Sequence, residues 1–317
     1  MVFLIQKTLV YAIPLLVVAL AGVFAERSGV INIALDGMMI FGSFIGAIFV
    51  SSMQKANLLD GHPQIMYILA MAVSAAAGAI FSLLLSFSAI NLKADQTIGG
   101  TALNMLAPAL CNTFALALFM QEKIEMPKST NYAFVNSDLN GFLRIFADKA
   151  YISTYIAIAV FVLLSLWLYK TKTGLRLRAC GEHPQAAASV GVNVYKMRYL
   201  GTTISGALAG MGGYIYIATV TGGTAEASVA GMGFLALAIM IFGNWKPGGI
   251  AFGALLFGFL KCLGVISDQI AFMKSWNLPM YFYNMIPYVI VLVVLALTAK
   301  KSGCPKAEGI PYDKGMR

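Results

Sequence analysis

Charge is scarce in this chain. Only 11% of its 317 residues are Asp, Glu, Lys or Arg, where soluble domains carry about 25%. Histidine occurs twice, at His62 and His183, and no His-Glu-x-x-His pair is present. No Gly-x-x-x-x-Gly-Lys-Ser/Thr phosphate loop is present either, so by this signature the chain does not hydrolyse ATP itself. Its four cysteines, Cys111, Cys180, Cys262 and Cys304, have no paired spacing. Neither a disulfide framework nor a metal cluster is expected of them. No nucleophile–base pairing emerges, and no Pro/Ser linker, low-complexity block or tandem repeat divides the chain. An intramembrane enzyme is therefore disfavoured.

What is present is apolar. Hydrophobic residues make up 59% of the chain and its mean hydropathy is +0.80, so it reads as an all-α, polytopic transmembrane helical bundle of about 8–10 spans. Crossing the hydrocarbon takes about 20 apolar residues. Candidate spans are 4–24, 30–51, 65–89, 98–120, 150–169, 199–220, 229–243, 249–267 and 282–299. The seventh is short and Gly-rich at its entry, which suits a re-entrant or tilted element. Residues 1–300 form one membrane domain and 301–317 a cytoplasmic tail.

The net charge of +9 reflects orientation rather than nucleic-acid binding. With the N-terminus outside and the C-terminus inside, Arg27, Lys93, the 170–198 loop, Lys246 and the tail are cytoplasmic. These segments hold 14 of the 22 Lys and Arg, as a positive-inside bias requires. The 121–149 loop, balanced in charge, falls outside, as a solvated loop or a small helix that touches an external partner.

The 170–198 loop carries six cations against the single acid Glu182. Glu182 to Val190 can form a short helix, with Pro184 tolerated in its first turn. Held against the inner face, such a helix is placed to dock a cytoplasmic partner. Glu182, His183, Gln185, Ala187 and Val192 are its candidate coupling residues.

Polar groups inside spans are costly and so informative. Asn32, Asp36, Asn104, Asn112, Thr202, Thr203 and Ser205 interrupt apolar runs. Asp36 is the only acid well inside a span, which is thin support for a proton-coupled carrier. Asn32, Asp36, Asn104 and Thr203 are candidates for a hydrated solute path, and each has an alternative role as a cap or helix–helix partner. The glycine pairs Gly42/Gly46, Gly206/Gly210 and Gly249/Gly253 predict close helix packing.

Several stretches together resemble one family. They are Glu26-Arg-Ser-Gly-Val-Ile-Asn-Ile-Ala-Leu-Asp-Gly-Met-Met39, Ile98-Gly-Gly-Thr-Ala-Leu-Asn-Met-Leu106, Gly181-Glu-His-Pro-Gln-Ala-Ala-Ala-Ser-Val-Gly191, the run from Gly231 to Gly249, and the tail from Glu308 to Gly315. In order and spacing they resemble permease subunits of bacterial ABC importers, in the branched-chain amino acid, ribose/galactose and nucleoside permease superfamily. The first and fourth look most like the shorter permease of purine-nucleoside importers. Where that family commonly has Glu in Gly-Leu-Glu-Gly-Met, this chain has Asp36, which keeps the charge on a side chain one methylene shorter.

The resemblance implies a multi-pass protein of the bacterial cytoplasmic (inner) membrane. It implies a heterodimer with a sister permease, cytoplasmic ATP-binding subunits that hold ATP and Mg, and an external substrate-binding lipoprotein. No cofactor is expected on this chain itself. Simple sugars or branched-chain amino acids are the alternative cargo, and a stand-alone carrier the alternative mechanism.

Overall fold

The computed structural model describes residues 2–58, 61–126, 132–133, 150–267, 279–298 and 303–315. Most of the 121–149 loop, expected outside, thus lies beyond the described residues. Each of the nine apolar stretches carries a helix. They are α1 (Val2–Arg27), α2 (Leu35–Lys55), α3 (Pro63–Ser86), α4 (Gln96–Phe119), α5 (Ile152–Lys170), α8 (Val194–Thr219), α9 (Met232–Phe242), α10 (Pro247–Val265) and α11 (Met280–Thr298). Two helices of the basic loop, α6 (Lys172–Glu182) and α7 (Pro184–Ser189), sit between α5 and α8. A π-helical turn, Phe87–Asn91, extends α3. One small antiparallel pair joins β1 (Ile124–Glu125) to β2 (Thr224–Ala225), with Ile124 opposite Ala225. The chain is a polytopic helical membrane bundle: α1 to α5 and α10 are each long and apolar enough to cross a bilayer.

Two stretches depart from uninterrupted spans. The seventh, α9, has 11 residues, about 16 Å of helix against a hydrocarbon core of about 30 Å. It reaches only half-way across. The second was expected as a helix from residue 30, but α2 begins at Leu35 and residues 30–32 have no regular structure. The helix is delayed because Asn32 turns its side chain onto the backbone of Ala34, a local competition with helical bonding that Asn favours.

Helix α8 is the axis of the bundle, packing against α1, α2 and α3. Glycine permits the contact. A Cβ on Gly78 of α3 would strike the carbonyl oxygen of Gly206, and one on Gly42 of α2 would strike the Cα of Gly210. In a bilayer, where lipid is as apolar as leucine, such backbone approach supplies the packing energy. Around it lie Phe24, Phe44, Met38, Met39, Ile215 and Phe257, all with side chains essentially inaccessible.

The basic segments collect at one end of the bundle. Arg27 pairs with Glu182 at 3.4 Å and Lys93 with Asp313 at 2.6 Å, while Trp245 donates its ring N–H to Glu26. At the far end are the β1–β2 pair and the Lys123–Glu226 ion pair at 2.5 Å.

Candidate functional site

Where the backbone leaves a helix inside a membrane bundle, its N–H and C=O groups need partners that lipid does not offer. Residues 28–37 solve this with two amides of α4, a hydroxyl of α8 and their own Asn32. The Ile31 N–H donates to Gln96 Oε1 at 2.7 Å. Asn104 serves two groups at once: its Nδ2 donates to the Ile33 carbonyl at 2.9 Å and its Oδ1 accepts from the Gly37 N–H at 2.8 Å. Asn32 Oδ1 accepts from the Ala34 N–H at 3.1 Å, and its Nδ2 donates to Ser205 Oγ on α8 at 2.8 Å. The break in the second span is thus fixed on one side by α4 and on the other by α8.

Asp36, expected well inside the second span, occupies the first turn of α2 because that helix begins only at Leu35. Its Oδ1 accepts from the Gly233 N–H at 2.8 Å, so the carboxylate sits at the N-terminal end of the half-helix α9. Backbone N–H groups exposed there favour an anion. Gly233 is required for this approach, since a Cβ would run into the backbone of Asp36. Asp36 therefore joins the tip of the half-helix to the start of α2, and its own side chain is only half-buried.

Asn32, Asp36 and Asn104 thus meet at one junction near the middle of the bundle. Thr203 is not part of it. Its neighbour Thr202 shares a 2.5 Å hydrogen bond with Ser86, and Thr203 itself lies half-buried on another side of α8. Gln96 belongs to the junction and was missed. It stands directly after Asp95, whose carboxylate caps α4 by accepting from Thr97 and Ile98, and a lone amide in a first helical turn reads as a solvated end. Only the structure shows it buried beneath residue 31.

The second feature is the basic end. Thr171 caps α6 through the Gly174 N–H at 3.1 Å, which explains a helix in a segment expected as loop. The short helix expected from Glu182 to Val190 is shorter: Glu182 closes α6, and α7 runs from Pro184 to Ser189 with the proline in its first turn. The tail crosses beneath both. The Ala307 N–H donates to the Gly181 carbonyl at 2.8 Å, buried Arg198 donates from Nη1 to the Ile310 carbonyl at 2.9 Å, and Gln185 donates to the Asp313 carbonyl at 2.9 Å. Asn244 accepts from the Gly303 N–H, and the Tyr195 and Tyr312 rings meet edge-on at 5.3 Å.

The electrostatics of the tail follow from these contacts. Its hydrogen bond from Lys93 holds the Asp313 carboxyl below the usual aspartate range. Burial pushes the Glu308 carboxyl above its ordinary range. Burial, reinforced by the hydrogen bond that the Cys304 thiol donates to Glu308, pushes that thiol up to about 12.

The five candidate coupling residues divide. His183 and Gln185 are exposed; Glu182 is held by Arg27. Ala187 is buried, and Val192 half-buried, in a cluster with Cys180, Val194 and Tyr312. Ala187 therefore faces the chain's own tail and α8. The outward surface is completed by Ala186, Ser189 and Val190, the last with 79% of its surface accessible. An apolar residue so exposed at a basic membrane face was the available signal, and the alanine run masked it.

Over residues 4–295 the chain matches the family described as branched-chain amino acid transport system / permease component. It is 38% identical to the guanosine ABC transporter permease protein NupQ of Bacillus subtilis, covering 99% of this chain and 97% of the relative. It is also 38% identical to the nucleoside ABC transporter permease protein NupC of Lactococcus lactis, covering 98% and 96% respectively. A second Lactococcus relative, the nucleoside ABC transporter permease protein NupB, is 26% identical over 96% of this chain and 85% of its own length.

Proposed function

This chain belongs to the branched-chain amino acid transport system / permease component family, and from that membership we propose that it is the membrane-spanning subunit of an ABC importer that moves a nucleoside inward. The observation that carries the cargo is end-to-end similarity, at equal identity, to two permeases from different organisms that are both named for nucleosides. As a permease component the chain is not itself the catalytic ATPase.

Partner subunits on the basic face supply the energy, binding ATP and Mg themselves. Their closure is transmitted through α6 and α7, whose exposed surface runs from His183 to Val190. The tail ties these helices to the ends of α1, α3 and α8, so a push on α7 moves the bundle as a body instead of bending a loop. Asp36 and Asn104 lie at the one place where two broken elements meet. A shift of α9 against α2 there opens or shuts a path past the half-buried carboxylate. A sister permease completes the membrane unit, in keeping with two distinct nucleoside permeases in one Lactococcus. An external binding lipoprotein delivers solute, and the assembly sits in the cytoplasmic membrane with this chain's N-terminus outside.

Uptake of labelled guanosine by cells carrying the full importer tests this reading. Competition by unlabelled guanosine, and none by ribose or leucine at the same concentration, is expected. Competition by ribose alone or leucine alone would replace the cargo, and uptake unaffected by loss of the ATP-binding subunit would replace the mechanism.

A further inference from the structure

Among the described residues, the crossing of α2 and α3 on α8 is closed to a solute the size of a nucleoside. These helices meet at backbone distance through Gly42, Gly78, Gly206 and Gly210, which leaves no solute-sized gap between them. A path must therefore follow an outer face of the bundle, and a path for a hydroxylated solute needs polar groups there.

Helix α4 has such a face. It buries one stripe, Gln96, Gly100, Leu103, Ala107, Cys111 and Ala115, against the bundle. At about 100° per residue, Thr97, Thr101, Asn104 and Asn112 fall within roughly 80° of arc beside that stripe. Ile98, Met105 and Leu116, with 70%, 77% and 49% of their surface accessible, occupy the adjoining sector and suit lipid. From Thr97 to Asn112 the polar arc runs about 22 Å, most of the hydrocarbon thickness.

Two independent observations point to a hydrated ligand along it. The Asn112 side chain is exposed and its amide has no hydrogen-bond partner among the described residues, although it stands within a span. Leaving an amide unpaired in lipid costs about 2–7 kcal/mol, so this one faces water or solute. At the inner end, Thr97 opens into a cavity of about 500 Å³ whose walls include Lys93, Asp95, Gln96 and Glu308. That volume lies within the range of about 300–1,000 Å³ typical of small-molecule sites. Midway, Asn104 joins the arc to the α2 entry and so to Asp36.

We infer that the polar arc of α4, Thr97, Thr101, Asn104 and Asn112, is this subunit's wall of the nucleoside path, which runs along the face turned to the sister permease and discharges through the cavity beneath the tail. The inference rests on the nucleoside-importer reading and adds which helix lines the path. The hydroxyls and amides of the arc replace, one after another, the water that ribose hydroxyls and base N–H groups shed on leaving the outer solution.

Single cysteines at Thr101, Asn112, Ile98 and Met105, in a chain whose native cysteines are replaced, test it in the complete importer reconstituted in liposomes. The probe is a charged methanethiosulfonate, which reacts with hydrated thiolate and is excluded from lipid. Thr101→Cys and Asn112→Cys should be modified about tenfold or more faster than Ile98→Cys and Met105→Cys, because reaction follows thiolate and access. Guanosine with ATP should slow the modification. Asn112→Leu should lower guanosine uptake severalfold at normal assembly, and Asn112→Gln should restore uptake. Equal, slow labelling at all four positions with full uptake by Asn112→Leu would overturn the inference while leaving the importer reading intact. Cross-linking of Thr101→Cys to a cysteine introduced in the sister subunit, under an added mild oxidant and without reagent access, would also overturn it, showing a dry interface. Rapid, arc-confined labelling in an importer that takes up no nucleoside would instead uphold the path and refute the cargo.

Discussion

Replacing Asn104 with leucine separates the structural and the transport contributions of the junction. Leucine is close to asparagine in size, so the change removes hydrogen bonds with little change of volume. The Gly37 N–H and the Ile33 carbonyl both lose their partner. Each unsatisfied buried backbone group costs about 1–3 kcal/mol, so Asn104→Leu should destabilise the subunit by about 2–6 kcal/mol. The loss should be local at first, because these two groups anchor the non-helical entry to α2 and the rest of that helix keeps its own ladder. Unfolding by SDS titration in bicelles, followed by tryptophan fluorescence, measures the free energy. Asn104→Gln keeps the chemistry on a longer arm and should recover part of the loss. At Asn112, which supports no backbone group, leucine should leave the unfolding curve in place. A loss below about 0.5 kcal/mol for Asn104→Leu, under the usual cost of one orphaned group, would refute the claim that this amide holds the break in the span.

Three other expectations are accessible. In a background without the native cysteines, Glu226→Cys should react with an impermeant thiol reagent in intact cells and Ser189→Cys only after the membrane is opened; the exposed Lys123–Glu226 pair contributes little, so its loss is harmless. Val190→Asp, on the exposed surface of α7, should reduce co-purification of the ATP-binding subunits at normal subunit yield, whereas Ala187→Arg, forced into the Cys180–Val194–Tyr312 cluster, should lower the yield itself. Alkylation of Cys304 should rise with pH towards a midpoint near 12 rather than near 8.5; below that midpoint the thiol stays protonated and slow, and Glu308→Gln, which removes the carboxylate charge and leaves a weaker amide acceptor, should shift the rate profile to lower pH.

The spans were legible because burial in lipid selects long apolar runs whatever surrounds them, and the half-length of α9 was visible in its glycine-rich entry. What stayed hidden depends on partners far along the chain. Nothing near Ile31 announces that Gln96 will accept from its N–H, and nothing near Asp36 announces the tip of a helix almost 200 positions away. The intramembrane polar residues could be found by their cost but not sorted by their task. Asn104 and Asn112 look alike in a row of letters; one holds backbone in place, and the other stands exposed with no partner among the described residues. The same holds at the basic face, where an alanine run gives no sign that Ala187 turns inward while Val190 turns out.

The stretch from Gly303 to Gly315 leaves the ribosome after every helix of the bundle has been made. Yet the groups it satisfies belong to α6, α7, α8 and the turns after α3 and α9. Until it emerges, the guanidinium of Arg198 and the carbonyl of Gly181 wait without those partners, in whatever order the spans enter the bilayer. The basic face is consequently the last part of the molecule to set. The contacts that complete this face are therefore present only on a chain translated through Asp313.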